Sequence, residues 1–156
     1  MVLVKHLRKY DLFDFMGEEE LEAVAAIAKE KEYQVGDVIV EFGRPADTFY
    51  FLVEGDVAYY YVVTTENDPY YKKEYFISNI NAGEIFGISA LIAPYRYTAT
   101  LRVDKPSRVI EIVASELRAL CDADPKLAYG LMQAVARAAI ERLEATRIQL
   151  IAARAI

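Results

Sequence analysis

Between Tyr33 and Val113 the chain is cut into short apolar runs by turn-forming groups, and this spacing admits few architectures. The breaks are Gly36-Asp37, Gly43-Arg44-Pro45, Gly55-Asp56, Asn67-Asp68-Pro69, Asn81-Ala82-Gly83 and Asp104-Lys105-Pro106. Between them lie VIVEF, TFYFLVE, VAYYYVVTT, KKEYFISNI, TATLRV and RVIEIV, rich in β-branched and aromatic residues and often alternating. Many short strands at regular turn spacing form a sandwich or a barrel. The expectation is an antiparallel β jelly roll, a double-stranded β-helix, of about eight strands over residues 33–113.

Helical patterns flank that region. EEELEAVAAIAKEKE, Glu18 to Glu32, brings Leu21, Val24, Ala25, Ile27 and Ala28 near one face and predicts a helix. Its acidic first turn, Glu18 to Glu20, suits the positive end of the helix dipole. ASELRALCDA predicts a short helix, and Pro125 opens a long one with Asp124 as its cap. In the long helix Met132, Ala136, Ala139, Leu143, Thr146, Leu150 and Ala153 alternate spacings of four and three, which is a coiled-coil seam. A second apolar set, Leu127, Leu131, Val135 and Ile140, is expected to pack on the barrel. That leaves Glu141, Arg142, Glu144 and Arg147 for solvent or cross-chain pairs. A helix of this length spans about 45 Å at 1.5 Å per residue, more than a small barrel covers. The expectation is therefore a homodimer through the C-terminal helix, with Met132, Ala136, Ala139, Leu143, Thr146 and Leu150 at the interface.

The length of 156 residues fits one domain with a real core. The reading is a mainly β domain with flanking helices: an N-terminal helical part over 1–32, the jelly roll over 33–113 and the C-terminal helices over 114–156. No run of about 18 apolar residues exists, so no membrane contact is expected. The start, MVLVKHLRKYDLFDF, carries charges throughout and no small-residue cleavage site, unlike a secretory signal. Cys121 is the only cysteine, so no intrachain disulfide can form, which favours a cytoplasmic location. A net charge of −6 argues against nucleic-acid binding by this chain. With His6 and Cys121 each alone of their kind, no metal, cofactor or catalytic set is expected.

The order helix, jelly roll, short helix, long helix resembles the cyclic-nucleotide-binding domain of catabolite-activator-type regulators, protein kinase A regulatory subunits and cyclic-nucleotide-gated channels. The resemblance runs through LRKYDLFDFMGEEELEAVA and YQVGDVIVEFGRPADTFYFLVEGDVAYYY, with Gly36, Gly43, Gly55 and Gly83 at the family's turn glycines. It places GEIFGISALIAPYRYTAT, Gly83 to Thr100, on the family's phosphate-binding cassette. The resemblance implies a glutamate for the ribose hydroxyl, an arginine for the cyclic phosphate, backbone N–H groups at the phosphate, and a base that meets the C-terminal helix.

Gly87 fits the cassette glycine, but Ile88 stands where the glutamate belongs and Tyr97 where the arginine belongs. Glu84 reads as a turn acid. Gly87, Ile88, Ser89, Arg96, Tyr97 and Thr98 are the candidate ligand-binding residues of a degenerate cassette. Neighbouring side chains in a strand point to opposite faces, so Arg96 and Tyr97 cannot both face the pocket unless a bulge turns the chain. Losing one partner of a desolvated charge pair costs about 2–5 kcal/mol, or roughly 30- to 3,000-fold in affinity. Tyr59, Tyr60, Tyr61, Tyr95 and Tyr97 supply bulk to fill such a pocket. The resulting expectation is a stand-alone, dimeric regulatory module that does not bind cyclic AMP or cyclic GMP in the usual way. An unidentified small molecule or protein partner takes their place. The alternatives are a ligand-free protein-interaction module and the effector domain of a transcription regulator cut short before its helix-turn-helix.

Overall fold

Gly55 and Ser107 meet where the two longest strands bend together. The computed structural model describes residues 2–155, so positions 1 and 156 of the expected domain lie outside the described residues. The strands are β1 (Ala28–Tyr33), β2 (Val38–Val40), β3 (Thr48–Thr64), β4 (Lys72–Ile80), β5 (Ile85–Phe86) and β6 (Thr100–Val113). The helices are α1 (Val4–Leu7), α2 (Glu18–Ile27), α3 (Ala114–Ala123) and α4 (Pro125–Arg154), with single 3-10 turns at Asp11–Phe13 and Ile88–Leu91. The strands pair antiparallel in the order β1-β6-β3-β4, with β2 also on β6 and β5 also on β3.

The structure describes six strands, where the turn spacing suggested about eight. TFYFLVE and VAYYYVVTT are one strand, and so are TATLRV and RVIEIV. Gly55-Asp56 and Asp104-Lys105-Pro106 are corners within continuous strands, marked by register shifts from Leu52 to Val57 against β6. Such bulges bend a strand so that it serves both halves of the roll. Gly55 has φ 113°, and a Cβ there would lie 2.6 Å from Ser107 Cα. Ser107 Oγ accepts the Asp56 N–H at 3.1 Å and donates to the Lys105 carbonyl at 2.7 Å.

The expected helix 18–32 ends at Ile27. Lys29, Glu30, Lys31 and Glu32 are good helix formers, yet they extend as β1, paired from Ala28↔Ile112 to Tyr33↔Ser107. Pairing with β6 overrides local propensity, and the exposed charges blunt what is an edge strand. Residues 28–32 therefore belong to the roll.

The core is Phe49, Phe51, Leu52, Val57, Ile80, Phe86 and Ile110 of the sheet, joined in one cluster by Leu7, Val24, Leu117 and Leu127 of the helices. Asp124 caps α4, accepting the N–H groups of Lys126 and Leu127 at 3.1 Å each. Leu127, Leu131, Val135 and Ala138 of α4 are buried, and Gly130 admits the Phe15 ring at a distance no Cβ would allow. Ile140, expected on that face, is 64% exposed. Arg142 and Gln149 continue the face instead, donating to the carbonyls of Ile85 in β5 and Ile77 in β4. The contacting row is thus 131, 135, 138, 142, 145, 149, a four-three pattern one residue behind the expected interface seam. On that seam Ala136, Ala139, Leu143, Thr146 and Leu150 are exposed and Met132 is half-buried.

Candidate functional site

Strand β5 delivers the chain to Gly87, whose φ of 67° and ψ of 33° are left-handed. Two neighbours hold this turn close. The Tyr50 ring stacks on Phe86 with centroids 4.8 Å apart, and a Cβ on Gly87 would lie 2.9 Å from Tyr50 Cδ2 and 3.1 Å from the Thr48 carbonyl oxygen. The 3-10 turn from Ile88 to Leu91 follows, then a cis Ala93–Pro94 bond and Tyr95 at φ 59°. Residues 95–97 run back antiparallel to 43–46 through three backbone bonds of 2.8–3.0 Å. Arg118 of α3 braces the loop: Nη1 donates to the Ala90 carbonyl at 2.7 Å, and the guanidinium lies 4.1 Å from the Tyr95 ring centre.

Beneath this loop is a cavity of about 50 Å³. Gly87, Ile88, Ser89, Tyr97 and Thr98 line it. Arg96 does not. Its side chain is exposed and its Nη1 donates to the Gly43 carbonyl at 3.0 Å. Of the five tyrosines expected to fill the pocket, Tyr59 and Tyr97 line it. Tyr60 turns the other way, against Phe76 and the Arg102 guanidinium, while Tyr61 and Tyr95 are exposed. Glu84 serves the preceding turn, where Oε1 accepts the Asn81 N–H at 2.8 Å.

Tyr97 spends its hydroxyl on the protein. It donates to the Thr48 carbonyl at 2.6 Å and accepts the Thr48 N–H at 3.2 Å. This ties the end of the cassette to the start of β3. Burial, and next the nearby Tyr50 hydroxyl, push its pKa upward, so it stays neutral. Tyr50 is pushed upward by burial as well, and Tyr33 to about 12 by burial and the Glu111 carboxylate.

The positive charge at this cavity comes from α4. Arg142 lines it, with its guanidinium carbon 5.7 Å from the Tyr59 ring centre and Nη2 donating to the Ile85 carbonyl. Its Nε is buried without an acceptor, and among the described residues no carboxylate forms an ion pair with it. Burial draws its pKa below the ordinary arginine value, opposed by Tyr59, Glu84 and Glu141. Arg142, expected at solvent or in a cross-chain pair, meets the sheet instead. A signal was present: Arg142 lies four residues after Ala138 and seven after Val135, on the face that meets the roll.

Residues 30–124 match the cyclic nucleotide-binding domain. The chain belongs to the cyclic nucleotide-binding domain family. A solved Geobacter metallireducens structure of the cyclic nucleotide-binding kind is similar at 34% identity and TM-score 0.78, covering 92% of this chain and 99% of that one. The regulatory subunit of cAMP-dependent protein kinase from Dictyostelium discoideum is 28% identical over 120 residues, 76% of this chain. The chain spans 33% of that relative's length. The catabolite activator protein of Thermus thermophilus shares the fold at TM-score 0.67 and 20% identity, over 92% of this chain and 62% of that one. Among the described residues no helix is long and apolar enough to cross a membrane.

Proposed function

We propose that this chain is a regulatory module that works through α4 as a homodimer and does not take cyclic AMP or cyclic GMP in the usual way. The observation that carries the reading is the Tyr97 hydroxyl, committed to both backbone groups of Thr48 where the family's arginine would face the cyclic phosphate. Ile88 offers an aliphatic group where a ribose hydroxyl needs a partner, and a buried unpaired hydroxyl carries a desolvation cost of about 1–3 kcal/mol. The cavity of about 50 Å³ has room for about two waters at about 30 Å³ each, far less than a nucleotide requires. The module acts by binding rather than catalysis, in the cytoplasm. Its second copy is proposed to sit on the exposed row from Ala136 to Leu150.

Calorimetry with each cyclic nucleotide tests this reading. The expected result is no saturable heat at micromolar nucleotide, and low-micromolar binding of either one would defeat it. The double substitution Ile88→Glu with Tyr97→Arg is expected to raise affinity measurably, since the backbone of the cassette is in place.

A further inference from the structure

We propose that the cavity beneath the cassette is a site for a small monocarboxylate of about two or three carbons, sized to about two waters' space, with Arg142 as its anchor. The proposal deepens the reading above, because it needs the pocket to be free of cyclic nucleotide.

Three observations converge on this chemistry. First, Arg142 lines a small cavity, and among the described residues no carboxylate forms an ion pair with it. A planar guanidinium matches a carboxylate through two parallel hydrogen bonds, a match that a spherical ion or a neutral molecule lacks. Second, Val40, Phe86, Ile88 and Leu101 give the cavity an apolar wall, which suits a short alkyl tail and disfavours a heavily hydrated dianion. Ser89 and Thr98 add hydroxyl groups to the lining. Third, the volume of about 50 Å³ sets the size class.

The site is also wired to the rest of the molecule. The guanidinium that would hold the carboxylate already clips α4 to β5 through the Ile85 carbonyl. An occupant that draws on the same group changes the hold on the helix, and a ligand shifts a conformational equilibrium only through such differential contacts.

The test is an NMR titration of the full chain with sodium propionate, with propionamide as the neutral isostere and sodium chloride at matched ionic strength. Propionate is expected to give saturable shifts at Gly87 to Ser89, at Ala99 and at the Arg142 side-chain Nε–H, with propionamide at least about tenfold weaker. Arg142→Gln is expected to weaken propionate about 30-fold or more, and Arg142→Lys to weaken it less. No saturable shift from propionate at tens of millimolar overturns the proposal, as does equal binding of propionamide. Those wild-type outcomes stand even if Arg142→Gln folds poorly. Cyclic AMP added to the same sample separates the two readings. If it binds tightly while propionate does not, both fail. If neither binds, only the carboxylate proposal fails.

Discussion

Arg142 of α4 donates a hydrogen bond to the carbonyl of Ile85 in β5, so the long helix is clipped to the sheet one residue before the cassette strand ends. Two effects oppose each other there. A hydrogen bond from a charged donor contributes about 1.5–3 kcal/mol, while burying a charge without a counter-ion costs several. Arg142 is part-buried, so the two nearly cancel. Arg142→Met is therefore expected to change global stability by no more than about 1 kcal/mol, while amide exchange along α4 beyond residue 142 accelerates. Urea denaturation and hydrogen exchange on the same variant decide it. A large stability loss with unchanged exchange contradicts the balance.

Gly87→Val is expected to cost about 2–4 kcal/mol, from a left-handed backbone that β-branched residues resist and a Cβ forced against Tyr50 and Thr48. Chemical denaturation measures it. A cost under about 1 kcal/mol would mean that the turn relaxes to an ordinary conformation.

Leu143 is 49% exposed within one chain, so it contributes little to the monomer's own core. Leu143→Asp is expected to leave the stability of an isolated chain within about 0.5 kcal/mol while shifting sedimentation from dimer toward monomer. A wild-type chain that sediments as a monomer at tens of micromolar refutes the interface.

Alkaline stability follows from the buried phenols. Tyr33 has a folded pKa of about 12 against 10.0 for an unperturbed phenol, chiefly through burial, and Tyr50 and Tyr97 are shifted the same way. A raised folded pKa means that the native state keeps its proton where the unfolded chain has released it. The contribution is fully present below pH 10.0 and is lost as pH climbs toward 12. The urea midpoint is expected to fall steeply above pH 10.0, together with the rise of tyrosinate absorbance. In Tyr97→Phe the fall should be shallower. A midpoint independent of pH through that range contradicts the burial of these hydroxyls.

Part of the local structure around the site is legible in the sequence. The places of Gly87, Ile88 and Tyr97 on the cassette come from the family resemblance, while the turn role of Glu84 and the Asp124 cap follow from residue types at fixed local spacing. Local rules govern these features because the interacting groups are only a few residues apart. The strand count was less legible. Gly55-Asp56 and Asp104-Lys105-Pro106 have the composition of turns, and only the close approach of Gly55 to Ser107 makes them one bend.

The sequence by itself determined that α4 carries parallel four-three rows of residues, because helical periodicity fixes which side chains share a face. It did not determine how that helix is rotated against the roll. That was decided in three dimensions, where Arg142 and Gln149 found backbone carbonyls in β5 and β4 and turned the row 131–149 inward. A hydropathy pattern misses such a row, since two of its members are polar. Their hydrogen bonds to the sheet are made between residues 57 and 72 positions apart. The same long-range pairing pulled the charged, helix-prone segment 28–33 into β1. In both places an interaction between residues distant in sequence outweighed what the neighbouring residues alone prefer.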